Sequence, residues 1–351
     1  MTAKLKVYLN KIKHNIETVE KLCGEREVEI TAVTKMFGSD ETILKAFLES
    51  GISKIGDAEI SNFKSLQHLD VEKWAIRIPG FSEVEDMVKY CDVSLNSELD
   101  IIKEIEKASK VQGKVHKIIL MKELGDLREG ILSRDEFLRI ADYVLDSKYV
   151  ELYGLGTNLT CFSFVQPSVD KMLELVELSK EIFGNKEVLI SGGNSSTIDL
   201  MRCGDLPLEV NNLRLGESLL FGREGSFERY VKGTYDDTFL LEVEILEIKD
   251  KPSKPWGEVG LDSYGHKHSF KDSGVRRRAV CGVGKKSIDV EATYALDENI
   301  EIVGASSDHL VLDISDSEKN YKVGDVVDLK LEYFSALMAM QSDYVKKEYI
   351  Y

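Results

Sequence analysis

Proline is scarce in this 351-residue chain, with 5 positions, and no Pro- or Ser-rich stretch interrupts it, which excludes an extended low-complexity polymer and a long flexible linker between modules. Cysteine is as rare: Cys23, Cys91, Cys161, Cys203 and Cys281 are odd in number and widely scattered. That spacing excludes a disulfide frame and a zinc site with paired ligands, and reads as reduced thiols serving as small core residues. Positive charge is in deficit, 46 Lys+Arg against 62 Asp+Glu for a net charge of −16, so non-specific attraction to nucleic acid or anionic lipid is excluded on Coulomb grounds. Any phosphate binding must be local. No apolar run approaches the roughly 18 residues of a membrane span, and the opening MTAKLKVYLNKIKHNIETVEKL lacks the apolar block of a secretory signal. A cytoplasmic protein with neither membrane nor nucleic acid as partner is expected.

What is present is enough apolar material, 43% of residues beside 31% charged, for a chain folded throughout as one or two domains. Up to about residue 230, apolar or β-branched runs alternate with amphipathic stretches. The runs are VEITAVTK (28–35), KIGDA (54–58), KWAIRIP (73–79), DVSLN (92–96), HKIILMKE (116–123), LYGLGTN (152–158), EVLISGG (187–193) and NNLRLGE (211–217). Between them lie segments such as SELDIIKEIEKASK and DKMLELVELSKEIF, with apolar residues at helical spacing. Strand then helix, eight times over, is the arithmetic of a (β/α)8 TIM-type barrel, with an open doubly wound sheet as the competing reading. After about residue 235 the texture changes to FLLEVEILEIKD, RRRAVCGVG, NIEIVGASSDHLVLDISD and VGDVVDLKLEYF, the pattern of a mainly β domain. The expected division is 1–232 for the barrel and 233–351 for the β domain, with the N-terminal strand open to joining the second.

Reactive groups in such a barrel come from strand ends and the loops that follow them. Lys35 closes the first strand, Asn194, Ser195 and Ser196 follow the seventh, and Arg214, Gly216 and Glu217 end the eighth. A lysine delivered by an apolar strand suits a Schiff-base cofactor, because partial desolvation frees the nucleophilic amine; a strand-end lysine is also an ordinary solvated cap. SGGNSSTIDLM reads as strand, glycine turn and helix start, where unpaired amides favour an anion, although the same serines are good helix caps. LRLGES adds close backbone approach at Gly216 and the planar guanidinium of Arg214.

These segments together resemble the fold-type III pyridoxal-phosphate enzymes, the alanine racemase superfamily, and most closely its ornithine racemase-like branch. KVYLNKIKHNIETV is similar to the family's opening strand and first helix. AVTK places Lys35 at the lysine that carries pyridoxal 5'-phosphate, and GDLREGIL places Arg128 at a substrate-site arginine. GGNSS and NLRLGES match the phosphate and pyridine-nitrogen segments, which implies Asn194, Ser195, Gly216 and Glu217 (backbone) at the phosphate and Arg214 at the ring nitrogen. GTNLTCF lies where the family flanks the cofactor ring, with Asn158 in place of the histidine of alanine racemases. In the β domain, VGLDSYGHKHSF matches the stretch carrying a second base, Tyr264, contributed across a homodimer. IVGASSDHLVLDISD places Ser307 and Asp308 by the substrate carboxylate, and AMQSDYVKKEYI places Tyr344 near the phosphate.

The resemblance implies a racemase that moves a Cα proton between Lys35 on one face and Tyr264 on the other, with a basic amino acid such as ornithine as substrate. Arg214 would discourage protonation of the ring nitrogen and so suppress transamination. Three alternatives use the same scaffold. A cofactor carrier would need the barrel alone. A decarboxylase would need a reactive cysteine in the β domain, where Cys281 sits in the apolar run AVCGV. A metal-dependent enzyme on β-hydroxy amino acids would need ligands among His266, His268 and His309, which more often act singly. No metal is expected.

Overall fold

The computed structural model describes residues 2–227, 229–261, 265–267 and 269–351. Two compact units emerge: Leu9–Asp236 form one, and Met1–Tyr8 with Asp237–Tyr351 the other.

The first unit is an eight-stranded closed barrel. After β1 (Ala3–Tyr8), which belongs to the other unit, come β2 (Glu29–Val33), β3 (Lys54–Asp57), β4 (Glu72–Ala75), β5 (Val93–Asn96), β6 (His116–Lys122), β7 (Val150–Thr157), β8 (Leu189–Ser191) and β9 (Asn212–Leu215). Each pairs in parallel with the next, and β9 closes on β2 with Thr31 opposite Arg214 and Ala32 opposite Leu215. Each of the eight runs read from the sequence overlaps one of these strands, with β4 and β7 starting one and two residues before their runs. The two amphipathic stretches form helices at Leu99–Gln112 and Val169–Phe183, burying Ile101, Ile102, Ile105 and Ala108 in one and Met172, Leu175, Val176 and Leu178 in the other. These residues repeat at three-to-four spacing, which puts them on one helical face.

Trp74, Val93, Leu95, Ile119, Met121 and Leu189 form one apolar cluster. Another layer is polar: Asn212 donates to Thr31 Oγ1 at 3.0 Å, and Asn212 Oδ1 lies 2.6 Å from Ser191 Oγ. Polar side chains are tolerated there because each finds a partner. His116 opens β6 fully buried, its Nε2 3.0 Å from Ser94 Oγ. Burial pushes this imidazole down from 6.5 to about 3, helped by the Lys114 charge. A folded-state value below the unfolded one means acid protonates the unfolded chain first, so this contribution is present above pH 6.5 and is lost as pH falls toward 3. From those values, His116→Gln is expected to lose about 2–3 kcal/mol less than wild type between pH 7 and pH 4.5, measured by urea titration at the two pH values.

The second unit is an antiparallel sheet. Its strands are β10 (Phe239–Pro252), β11 (Val275–Cys281), β12 (Thr293–Ala295), β13 (Glu301–Ala305), β14 (Leu310–Asp313), β15 (Val326–Leu331) and β16 (Lys346–Ile350). The order is β12-β15-β10-β11-β14-β13, and β1 is inserted between β10, which it pairs antiparallel, and β16, which it pairs in parallel. Alternation sets the inner face: Phe239, Leu241, Val243 and Ile245 of β10 are buried while Leu240, Glu242 and Glu244 are less so, as period-two side-chain direction requires.

Candidate active site

The turn after β2 is pinned by Thr34. Its N–H donates to Gly56 O at 2.9 Å, its hydroxyl to Asp57 Oδ2 at 2.7 Å, and its carbonyl accepts from Phe37 and Gly38 at 2.9 and 2.8 Å. The next residue, Lys35, is exposed. Asp57 is buried and its carboxyl is pushed above the usual range by that burial, with Thr34 and the Glu59 N–H holding it in place.

Two helix starts meet after β8 and β9. Gly193 takes the left-handed region at φ +110°, which a side chain resists. Asn194 Oδ1 then accepts from Ser196 N at 2.9 Å, capping the turn Ser195–Thr197 that leads into the helix Ile198–Cys203. Ser195 Oγ lies 3.1 Å from Ser218 Oγ and accepts from Ser218 N at 3.2 Å, tying this start to the helix Glu217–Phe221. At Gly216 a Cβ would lie 3.1 Å from Val33 Cβ, so only glycine lets this backbone lie so close to the end of β2 without a shift. Ser196 Oγ is buried and without a hydrogen-bond partner among the described residues. The Glu217 carboxylate accepts from Arg223 Nε and Nη2 at 3.1 and 3.0 Å.

Arg214 is buried on β9, donating from Nη1 to Ser191 Oγ and from Nη2 to Thr157 O, both at 2.6 Å. Burial lowers its guanidinium to about 10, partly offset by the nearby Glu129 charge. It therefore remains cationic near neutral pH.

Loops after β6 and β7 complete the cluster. Arg128 Nε and Nη2 both donate to the Glu129 carboxylate, and Asn158 Nδ2 donates to Glu129 Oε1 at 3.0 Å. Burial pushes the Glu129 carboxyl up, but the Arg128 and Asn158 hydrogen bonds and the charges of Arg128 and Arg214 outweigh it and hold it below the usual range. Hydrogen bonding to Glu129 raises Arg128 above its ordinary value. Asn194 Nδ2 donates to Asn158 Oδ1 at 3.1 Å and to Leu159 O at 2.8 Å, joining the two loops. Buried Asp126 accepts from the backbone N–H groups of Cys161, Phe162, Ser163 and Val165 at 3.1, 2.9, 3.2 and 3.4 Å. The same loops hold Leu127, Thr160 and Phe164 at φ +58°, +65° and +56°, conformations that need such over-determination. Asp126→Ala is expected to cost at least about 2 kcal/mol through the unsatisfied amides and to speed hydrogen exchange selectively at 161–165, read by mass spectrometry.

Within the second unit, Ser307 Oγ donates to Asp308 Oδ2 at 2.6 Å, Lys286 pairs with Asp308, and Lys286 Nζ sits 3.9 Å from the Tyr344 ring centroid. Lys286, Asp308 and Tyr344 line a concavity of about 350 Å³ with Asp343 and Gly284. Cys281 is fully buried and its thiol is pushed up to about 12, the state of a core residue. Tyr264 and His268 lie outside the described residues. Among the described residues, no group of three His, Cys, Asp or Glu is arranged to hold a metal ion, and no helix is long and apolar enough to cross a membrane.

The fold thus brings Arg128, Asn158, Asn194 and Arg214 into one cluster, fastens Ser195 beside Ser218, and sets Gly216 against the end of the strand that Lys35 follows. Ser307, Asp308 and Tyr344 gather around Lys286. Sequence reasoning missed Glu129, Asp126, Asp57, Ser191 and Thr157. Only Glu129 left a signal, as the residue directly after Arg128.

Comparison with known proteins gives a concordant picture. Residues 7–224 match the family model described as alanine racemase, N-terminal domain. The chain is 38% identical to the ornithine racemase of Acetoanaerobium sticklandii over 351 residues, covering 99% of each chain. It is 33% identical to the lysine racemase of Thermotoga maritima, covering 99% of this chain and 98% of that one. Among solved structures it is similar to the alanine racemase from Bartonella henselae with covalently bound pyridoxal phosphate, with a TM-score of 0.75 at 16% identity and full coverage of both chains.

Proposed function

The chain belongs to the alanine racemase family, and from that premise we propose that it is a pyridoxal-phosphate-dependent racemase of a basic amino acid such as ornithine. The ornithine and lysine racemase relatives, alike over the whole chain, support the substrate class. The observation that carries the reading is the join between β2 and β9: exposed Lys35 follows one strand, buried Arg214 lies on the other, and Gly216 is pressed against Val33 between them.

The residues present fit the cofactor. Two helix starts meet at Ser195 and Ser218, an unpartnered buried hydroxyl at Ser196 awaits an acceptor or donor, and Gly216 permits backbone approach. Ser195, Asn194 and the backbone at Gly216 and Glu217 would hold the phosphate, Arg214 would face the ring nitrogen, Asn158 would flank the ring, and Lys35 would carry the aldehyde. When bound, pyridoxal 5'-phosphate supplies an electron sink that makes an amino acid's Cα proton removable.

Inversion demands that a proton leave one face and return to the other. Lys35 Nζ takes or gives it on one face. Tyr264 of the partner subunit serves the other through its hydroxyl, so the working form is a homodimer in which the domain 233–351 supplies residues to its partner's site. Arg128 orients the substrate carboxylate. Five unpaired cysteines, Cys161 and Cys203 exposed among them, suit a reducing cytoplasmic compartment.

Incubation with pyridoxal phosphate and single L-amino acids in deuterated water tests this. The expected product is the D form of ornithine or lysine with deuterium at Cα. Cofactor binding without exchange at any amino acid would point instead to a carrier, and amine plus carbon dioxide to a decarboxylase.

A further inference from the structure

We propose that Glu129 is the specificity-determining residue that reads the distal ammonium of a basic amino acid, an inference that rests on the racemase reading and deepens it. A long cationic side chain entering this barrel needs a carboxylate that is desolvated and still has an acceptor position open, since a screened or fully occupied one offers little discrimination. Asp57 ends β3, and Glu123, Asp126 and Glu129 lie in the loop after β6; the first three are buried and Glu129 is nearly so. Glu123 accepts the Gly125 N–H of its own loop. Asp126 has its capacity of four filled by four backbone amides. Asp57 is surrounded by donors from Thr34, Glu59, Asn62 and Ala58. Glu129, whose side chain is 10% exposed, accepts three bonds: Oε1 takes Arg128 Nη2 and Asn158 Nδ2, and Oε2 takes only Arg128 Nε. One acceptor position remains on Oε2.

Its neighbour makes the arrangement bipolar. The Arg128 side chain is 41% exposed and spends Nε and Nη2 on Glu129, which leaves Nη1 for an anion. One ion pair thus offers a donor edge for a carboxylate and an acceptor for an ammonium. Asp308, the acid that the family resemblance places by the substrate, is half exposed and closed by its pair with Lys286 and the Ser307 hydroxyl. A site that hydrogen-bonds a substrate group through a desolvated partner rejects the analogue lacking that group far more strongly than a pocket that merely fits it.

The experiment compares ornithine with 2-aminopentanoate, the same chain without its distal amine, in wild type and Glu129→Gln. The ratio of kcat/KM for ornithine to that for 2-aminopentanoate is expected to fall at least tenfold in the variant. Calorimetry supplies a readout free of turnover. With the cofactor fixed to the protein by borohydride reduction, so that no amine can displace it, 5-aminopentanoate is expected to bind wild type at least tenfold tighter than pentanoate, and the gap to close in Glu129→Gln. Should that variant fail to fold, Glu129→Asp keeps the charge but withdraws it by one methylene, and the lysine-to-ornithine ratio is expected to rise. Equal losses for ornithine and 2-aminopentanoate, or a collapse of ornithine preference in Asp308→Asn with none in Glu129→Gln, would overturn the assignment. Absence of Cα exchange with every amino acid in wild type would sink the racemase reading alone, since the calorimetric comparison still tests Glu129.

Discussion

Lys35→Ala is expected to leave a folded protein that no longer retains the cofactor covalently and exchanges Cα protons at least about a thousandfold more slowly, the scale of removing a covalent nucleophile that doubles as a base. Folding should survive because the Lys35 side chain is exposed, and the turn it stands on is fixed by its neighbour: the backbone and hydroxyl of Thr34 reach Gly56, Asp57, Phe37 and Gly38. Exposed truncations away from such anchors usually cost within about 0.5 kcal/mol. Borohydride reduction followed by peptide mass spectrometry separates the two consequences. Wild type should yield a cofactor mass on the peptide containing Lys35, and the variant none anywhere. Covalent label elsewhere in the variant, with turnover intact, would transfer the role to another lysine.

Arg214→Gln is the second large effect, and it changes what is made as well as how fast. The guanidinium is buried, its value of about 10 keeps it charged at neutral pH, and its two 2.6 Å hydrogen bonds to Ser191 and Thr157 fix its position. A fixed cation resists protonation of a nearby nitrogen base. Neutralising it is expected to slow racemisation about a hundredfold and to raise the yield of keto acid, the product of a proton returned to the wrong carbon. Loss of a donor to one of two buried acceptors should also cost roughly 1–3 kcal/mol. Chiral chromatography with a keto-acid assay reads the first pair, and urea unfolding the last. Slower racemisation with no keto acid would remove Arg214 from control of the reaction's outcome.

Much of the barrel was legible because its strands are short and buried: the runs beginning at Lys54 and His116 coincide with strand starts, and the run beginning at Asn211 misses by one residue. Their ends were less so. KWAIRIP continues as an apolar run to Pro79, yet β4 stops at Ala75, because a loop over a barrel mouth keeps apolar character without ladder pairing. In the site, Lys35 and Arg214 were visible because strand-end residues are few and their chemistry distinctive. Glu129, Asp126 and Asp57 were hidden among 62 acidic residues, and only tertiary packing shows Asp57 and Asp126 as buried acceptors and Glu129 as the partner of Arg128 and Asn158. Tyr264 was named by resemblance alone and lies outside the described residues. The order of the antiparallel sheet was beyond reach of local pattern, since it depends on pairings such as Lys4 with Lys346.

That last pairing bears on how the chain is made. A ribosome delivers Leu9–Asp236 as one uninterrupted segment, so every strand of the closed barrel is translated before β10. Strand β1, translated before the barrel, has no sheet neighbour until Phe239–Val243 appears, and its other edge stays uncovered until Lys346–Ile350 follows. Nascent chains stalled before that point should therefore carry a barrel able to fold beside an amino-terminal strand with an open edge, the kind of exposed template that holdase chaperones and strand-swapped neighbours capture.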